Sequence, residues 1–104
     1  MDIWQPISAA ELDALLAVQI ADCTPEQQEF FDRCKVTPYL VPITRFGETE
    51  AVFVVARAGD LVLYYEDVEE GFNISMLSPD GSIATPGYNQ CELTHALRHF
   101  AQAS

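Results

Sequence analysis

A Gly-Asp pair set between two runs of β-branched and aromatic residues constrains this chain more than any other feature. Residues 52–56 read VFVVA and residues 61–65 read LVLYY. Such side chains fit a pleated, half-buried surface. Gly59-Asp60 lies between the runs, and glycine at the first central position suits a two-residue type II′ turn. That turn pairs Ala58 with Leu61, Ala56 with Leu63 and Val54 with Tyr65. One face of the hairpin then carries Val52, Val54, Ala56, Leu61, Leu63 and Tyr65, and the other Phe53, Val55, Arg57, Val62, Tyr64 and Glu66. The second face is apolar in its middle, whereas an antiparallel sheet with one wet face alternates more sharply. Something is therefore expected to cover it: a helix of the same chain, a second copy or a partner. A slip of one residue would exchange the two faces.

The flanking sequence supplies further strands. Residues 36–46 alternate Tyr39, Val41 and Ile43 with Leu40, Pro42 and Thr44, and carry Pro38 and Pro42. Proline cannot donate to a ladder, so this reads as an edge strand joined to the hairpin by a turn at Gly47. Prolines also blunt an open edge against self-pairing. After the acidic run Glu66, Asp67, Glu69 and Glu70, residues Phe72, Ile74 and Met76 alternate with Asn73, Ser75 and Leu77 as a fourth strand. Ser78-Pro79-Asp80-Gly81-Ser82 is a turn sequence, and residues 83–85 read as a short fifth strand.

Helices are signalled at both ends. Ser8 and Glu11 form a capping box with Ile7 and Leu12 as its hydrophobic staple, predicting a helix over 9–21 that faces the core with Leu12, Leu15, Leu16 and Ile20. Thr24, Pro25 and Gln27 open a second helix over 25–34, with Phe30, Phe31 and Cys34 as its apolar stripe. Asn89 and Glu92 open a third, with Leu93, Ala96, Leu97 and Phe100 facing inward. Trp4 is expected to pack over the first helix or the sheet edge. The predicted fold is α+β, an antiparallel meander of four or five strands with an N-terminal helical hairpin and a C-terminal helix, formed as one domain over residues 1–104.

Composition narrows the function classes. A content of 49% hydrophobic and 20% charged residues is that of a folded domain. No apolar run is long enough to span a bilayer, and MDIWQPIS has neither the basic nor the apolar region of a secretory leader. Cys23, Cys34 and Cys91 are odd in number and form no CxxC, so they read as reduced thiols of a cytoplasmic protein. Sixteen acidic against five basic residues give a net charge of −11, which argues against nucleic acid and anionic membranes as partners and favours basic ones.

Catalytic signals are weak. The chain holds no G-x-S-x-G elbow, P-loop or G-x-G-x-x-G. His95 and His99 stand four apart, as a metal pair would, but the sequence names no third ligand. Cys91 is placed in the first turn of the third helix, where the dipole lowers a thiol pKa, one turn from His95. The acidic run lacks EF-hand spacing, and nothing marks Glu66 and Asp67 as a buried acid–base pair. No cofactor is indicated, and the balance is against an enzyme.

Two readings follow. In the first, the protein is a small inhibitor-, immunity- or antitoxin-like domain that docks a basic protein through Glu66, Asp67, Glu69 and Glu70, with Tyr64 and Tyr65 as aromatic anchors. In the second, it is a homodimer that binds a small ligand or performs modest chemistry in a sheet–helix cleft walled by Cys91, His95 and His99.

Overall fold

A computed structural model describes residues 7–45, 47–66, 71–83 and 91–103. The chain runs α1 (Ala9–Ala21), α2 (Pro25–Cys34), β1 (Lys35–Arg45), β2 (Glu48–Ala58), β3 (Leu61–Glu66), β4 (Gly71–Met76) and α3 (Leu93–Ala103). The sheet is a four-stranded antiparallel meander in the order β1-β2-β3-β4, with two helices before it and one after it. This is the α+β fold expected from the sequence.

Local chemistry starts both N-terminal helices where the capping boxes lie. The Glu11 N–H donates to Ser8 Oγ at 3.1 Å, and the Ser8 N–H donates back to Glu11 Oε1 at 3.1 Å. These bonds hold the Glu11 carboxyl below its usual pKa. The Gln27 N–H donates to Thr24 Oγ1 at 3.2 Å and the Thr24 N–H to Gln27 Oε1 at 3.0 Å, with Pro25 in the first helical turn. These reciprocal bonds satisfy N–H groups that the helix itself leaves open.

Glutamine side chains then tie the helices together. Gln27 Nε2 donates to the Thr94 carbonyl at 3.0 Å, while Thr94 Oγ1 donates to Gln27 Oε1 at 3.0 Å. Gln19 Oε1 accepts from the Leu93 N–H at 2.7 Å, which caps α3 from α1. Gln28 Nε2 donates to the carbonyls of Ile20 at 2.9 Å and Cys23 at 3.2 Å, which fixes the α1–α2 link. Gln27 thus serves a cap and a helix–helix contact with one amide. A Gln27→Ala variant is expected to lose about 2–3 kcal/mol, from half a capping box and two bonds to Thr94, each worth about 1 kcal/mol. Gln27→Glu keeps the acceptor and should lose roughly half as much; urea denaturation of both variants measures the difference.

The helices pack on one side of the sheet, α3 against β3 and β4 and α2 against β2. The core beneath them contains Leu12, Phe31, Val55, Ala56, Leu61, Leu63, Tyr65, Phe72, Leu93, Ala96, Leu97 and Phe100. The expected inward stripe of α3 is therefore buried as read. Of the α1 stripe, Leu12 is buried, whereas Leu15, Leu16 and Ile20 are half-buried.

A second core lies on the opposite face, built from Val41, Ile43, Val52, Val54, Val62, Tyr64 and Ile83. Here the structure corrects the expected faces. The hairpin pairs Ala58 with Leu61 and Ala56 with Leu63 as predicted, with Gly59 at φ 63°. A bulge at Val55 then shifts the ladder, so that Val54 faces Tyr64 and Phe53 faces Tyr65. Val52 and Val54 join the second core, while Val55 joins the helix-side core with Ala56. A bulge sets two residues against one, and no polar residue between Val52 and Ala56 marks which face each should take.

The second face is not covered by a helix among the described residues. The segment after β4 crosses it instead. The Leu77 N–H donates to the Asp60 carbonyl at 2.8 Å, and the Ile83 N–H donates to the Pro42 carbonyl at 2.8 Å. Leu77 packs against the second core and Ile83 is fully buried in it. Of the fifth strand expected over 83–85, Ile83 makes a parallel bridge with Ile43; Ala84 and Thr85 lie outside the described residues. Pro42 directs its carbonyl to the outer edge of β1, so its missing N–H costs the β1–β2 ladder nothing. No described helix is long and apolar enough to cross a membrane.

Candidate functional site

Of the residues singled out as a docking surface, the three that are described, Tyr64, Tyr65 and Glu66, are buried and do not share one surface. Tyr64 and Tyr65 are neighbours in β3, so they point to opposite faces. Tyr65 lies in the helix-side core, its ring 5.1 Å from that of Phe72 at an interplanar angle of 65°. Tyr64 is fully buried in the second core. Glu66 is not part of a solvated loop: it is the last residue of β3, paired with Gly71, and fully buried. Asp67, Glu69 and Glu70 lie outside the described residues, as do Trp4 and the Asn89 cap.

The register of β3 and β4 instead gathers a polar stripe on the second face. Tyr64 lies opposite Asn73, Val62 opposite Ser75 and Glu66 opposite Gly71. Asn73 and Ser75 are buried as well. A phenol, a carboxylate, an amide and a hydroxyl thus share the end of an otherwise apolar face. Buried polar groups of this kind specify a unique packing when satisfied and are costly otherwise. The signal was present in the alternation of Phe72 and Ile74 with Asn73 and Ser75. What it lacked was the register that places Tyr64 and Glu66 beside them.

The C-terminal helix corrects a second expectation. It begins at Leu93, and Cys91 precedes it in an antiparallel bridge to Phe72, whose N–H donates to the Cys91 carbonyl at 2.8 Å. Cys91 is therefore outside the first helical turn, and the Cys91–His95 spacing is not that of two residues on one helix. His95 and His99 are both exposed, one turn apart on α3. No group of three or more metal-ligating side chains occurs among the described residues. Burial raises the thiol pKa of Cys23 and of Cys34 above the ordinary value, which keeps both thiols protonated and poorly nucleophilic at neutral pH.

Two concavities have chemistry of their own. One, of about 460 Å³, lies on the second face and is lined by Tyr39, Val41, Arg57, Asp60, Leu77, Ser78, Pro79 and Gly81. The Arg57 guanidinium there is already engaged: Nε donates to the Gly59 carbonyl, Nη1 to Tyr39 Oη at 3.3 Å, and Nη2 lies 3.5 Å from the Asp60 carboxylate. The other, of about 410 Å³, runs between α2 and α3 past Gln27, Phe30, Leu97, Arg98 and Ala101. Its lining does not include Cys91, His95 or His99, the residues expected to wall a ligand cleft.

Charge is distributed over the outside. Glu11, Asp13, Asp22, Glu26, Glu29 and Glu92 are exposed on or beside the helices, and Glu48, Asp60 and Asp80 are exposed around the sheet. Lys35 is held by Asp32 at 3.1 Å, as Arg57 is by Asp60. No protein-family model matches this chain, and the searches of curated proteins and of solved structures likewise gave no match.

Proposed function

We propose that this chain is a protein-binding domain that docks a basic protein, in the manner of a small inhibitor, immunity protein or antitoxin. The observation that carries this reading is the excess of exposed acid. Net charge is −11, acidic side chains stand exposed on α1 and α2, just before α3 and around the sheet, and Lys35 and Arg57 are already engaged by carboxylates of the same chain. Such a field speeds encounter with a cationic surface and rejects anionic ones. Within the acidic run, Asp67, Glu69 and Glu70 are the docking charges of this reading. Glu66, Tyr64 and Tyr65 serve the fold, being buried. A small-ligand site is less favoured, because the Arg57 side chain in the second-face cavity is already held by Tyr39, Gly59 and Asp60.

The test is capture from the source lysate at low and at moderate salt, with identification of the bound protein. A basic protein held at low salt and released at moderate salt is the expected result, since exposed charge pairs are screened over about 8–10 Å at such ionic strengths. Reversing Asp67, Glu69 and Glu70 to lysine should then weaken the purified complex roughly tenfold and flatten its salt dependence. Unchanged affinity and salt dependence would remove the acidic run from the interface.

A further inference from the structure

We propose that the groove between α2 and α3 is a self-interface, in which two copies of this chain pack about a two-fold axis running along the groove and Glu26 of each copy faces Arg98 of the other. The inference is independent of the docking of a basic protein through Asp67, Glu69 and Glu70.

The pairing of the two helices builds the groove. α2 and α3 run in the same direction: Gln27 holds Thr94 near the start of both, and the rings of Phe30 and Phe100 meet farther along, 5.7 Å apart. Between the helices lies an open depression of about 410 Å³. Leu97 is its buried floor, Phe30 borders it half-buried, and Ala101 is exposed to it. The helix-side core takes the inner faces of both helices, so this depression is the apolar part of their outer surface.

The two walls differ in charge. Glu26 stands exposed on the α2 wall and Arg98 on the α3 wall. The two do not form an ion pair within the chain. Unlike Lys35 and Arg57, Arg98 has no carboxylate partner among the described residues.

Charge and symmetry select the occupant. A basic segment laid in the groove would meet Arg98, and an acidic one would meet Glu26. A surface that carries the same two charges in reverse order avoids both conflicts, and a second copy of this chain is such a surface. In a two-fold contact, residue i of one copy meets residue j of the other, and j meets i. An axis along the groove lays α2 of one copy over α3 of the other and keeps each residue at its own level. Both Glu26–Arg98 pairs then form, and the two apolar floors close on each other between them. The net charge of −11 on each copy opposes association at long range. At an ionic strength of about 0.15 M that repulsion is screened beyond about 8 Å, whereas the pairs across the groove are in contact.

The experiment is sedimentation equilibrium of the purified chain at that ionic strength, from the low to the high micromolar range. The wild type should show a concentration-dependent dimer. Glu26→Arg and Arg98→Glu each set like charges together at both contacts, so either variant should weaken self-association roughly tenfold or more, two attractions being lost and two repulsions gained. An equal mixture of the two variants should regain the dimer, because each contact between unlike variants again joins opposite charges. Both side chains are exposed, so the urea midpoints of the variants should barely move. Recovery in the mixture also separates a lost contact from a lost fold. A wild type that stays monomeric over the whole range overturns the proposal. So does a dimer that neither variant weakens, or a mixture that fails to regain what the single variants lose.

Discussion

Replacing Phe72 with alanine is expected to remove about 3–5 kcal/mol of folding free energy, the usual cost of deleting a fully buried aromatic ring. Phe72 sits in β4 with no exposed surface and meets Tyr65 edge-on across the β3–β4 ladder. Its backbone N–H also receives the incoming chain at Cys91, just before α3 begins. The ring therefore fills the place where the last strand, the third strand and the C-terminal helix converge. A cavity there cannot collapse without moving the chain into α3. Domains of this size are stable by about 5–15 kcal/mol, so the variant should fall near the threshold of folding. Met76, four residues along the same strand, is 57% exposed. Met76→Ala should change stability by no more than about 0.5 kcal/mol. Urea midpoints measured side by side test the contrast. Equal losses at the two positions would mean that Phe72 is not in the core.

Much of this architecture was legible in the sequence because its signals are local. A capping box is complete within four residues, and both α1 and α2 begin where Ser8 and Thr24 place them. The Gly59-Asp60 turn and the first pairs beyond it are equally local. What was not legible depends on residues far apart. Two neighbouring tyrosines in a strand must face opposite ways, but that both would be buried follows only from the existence of two cores. Glu66 reads as the start of an acidic loop. Its pairing with Gly71 keeps it in the sheet instead. The late start of α3 has the same origin, since Cys91 is held in a bridge to Phe72 and the helix begins only at Leu93. The amides of Gln19 and Gln27, which reach 74 and 67 residues along the chain, leave no periodic trace at all.

Inserting one alanine between Val52 and Phe53 is expected to abolish folding, whereas deleting one valine of the Val54-Val55 pair is expected to cost only about 1.5–3 kcal/mol. The difference follows from the bulge. Val54 and Ala56 already face adjacent residues of β3, Tyr64 and Leu63, and already belong to opposite cores. Joining them directly turns the β2–β3 bulge into a regular ladder and moves no other β2 side chain to the wrong face. The loss is the burial of one valine. The insertion lies in a regular part of the ladder and has no such outlet. A one-residue slip there exchanges the faces of the distal ribbon. Val41, Ile43 and Val52 would leave the second core, and Leu40, Pro42 and Ala51 would turn towards it. Exposing three buried aliphatic side chains costs about 5–9 kcal/mol, which is comparable to the whole stability of such a domain. Urea and thermal unfolding of the two length variants give the answer directly. If the deletion unfolds the protein as completely as the insertion, the ladder is regular, and Val52 and Val54 share a core with Ala56.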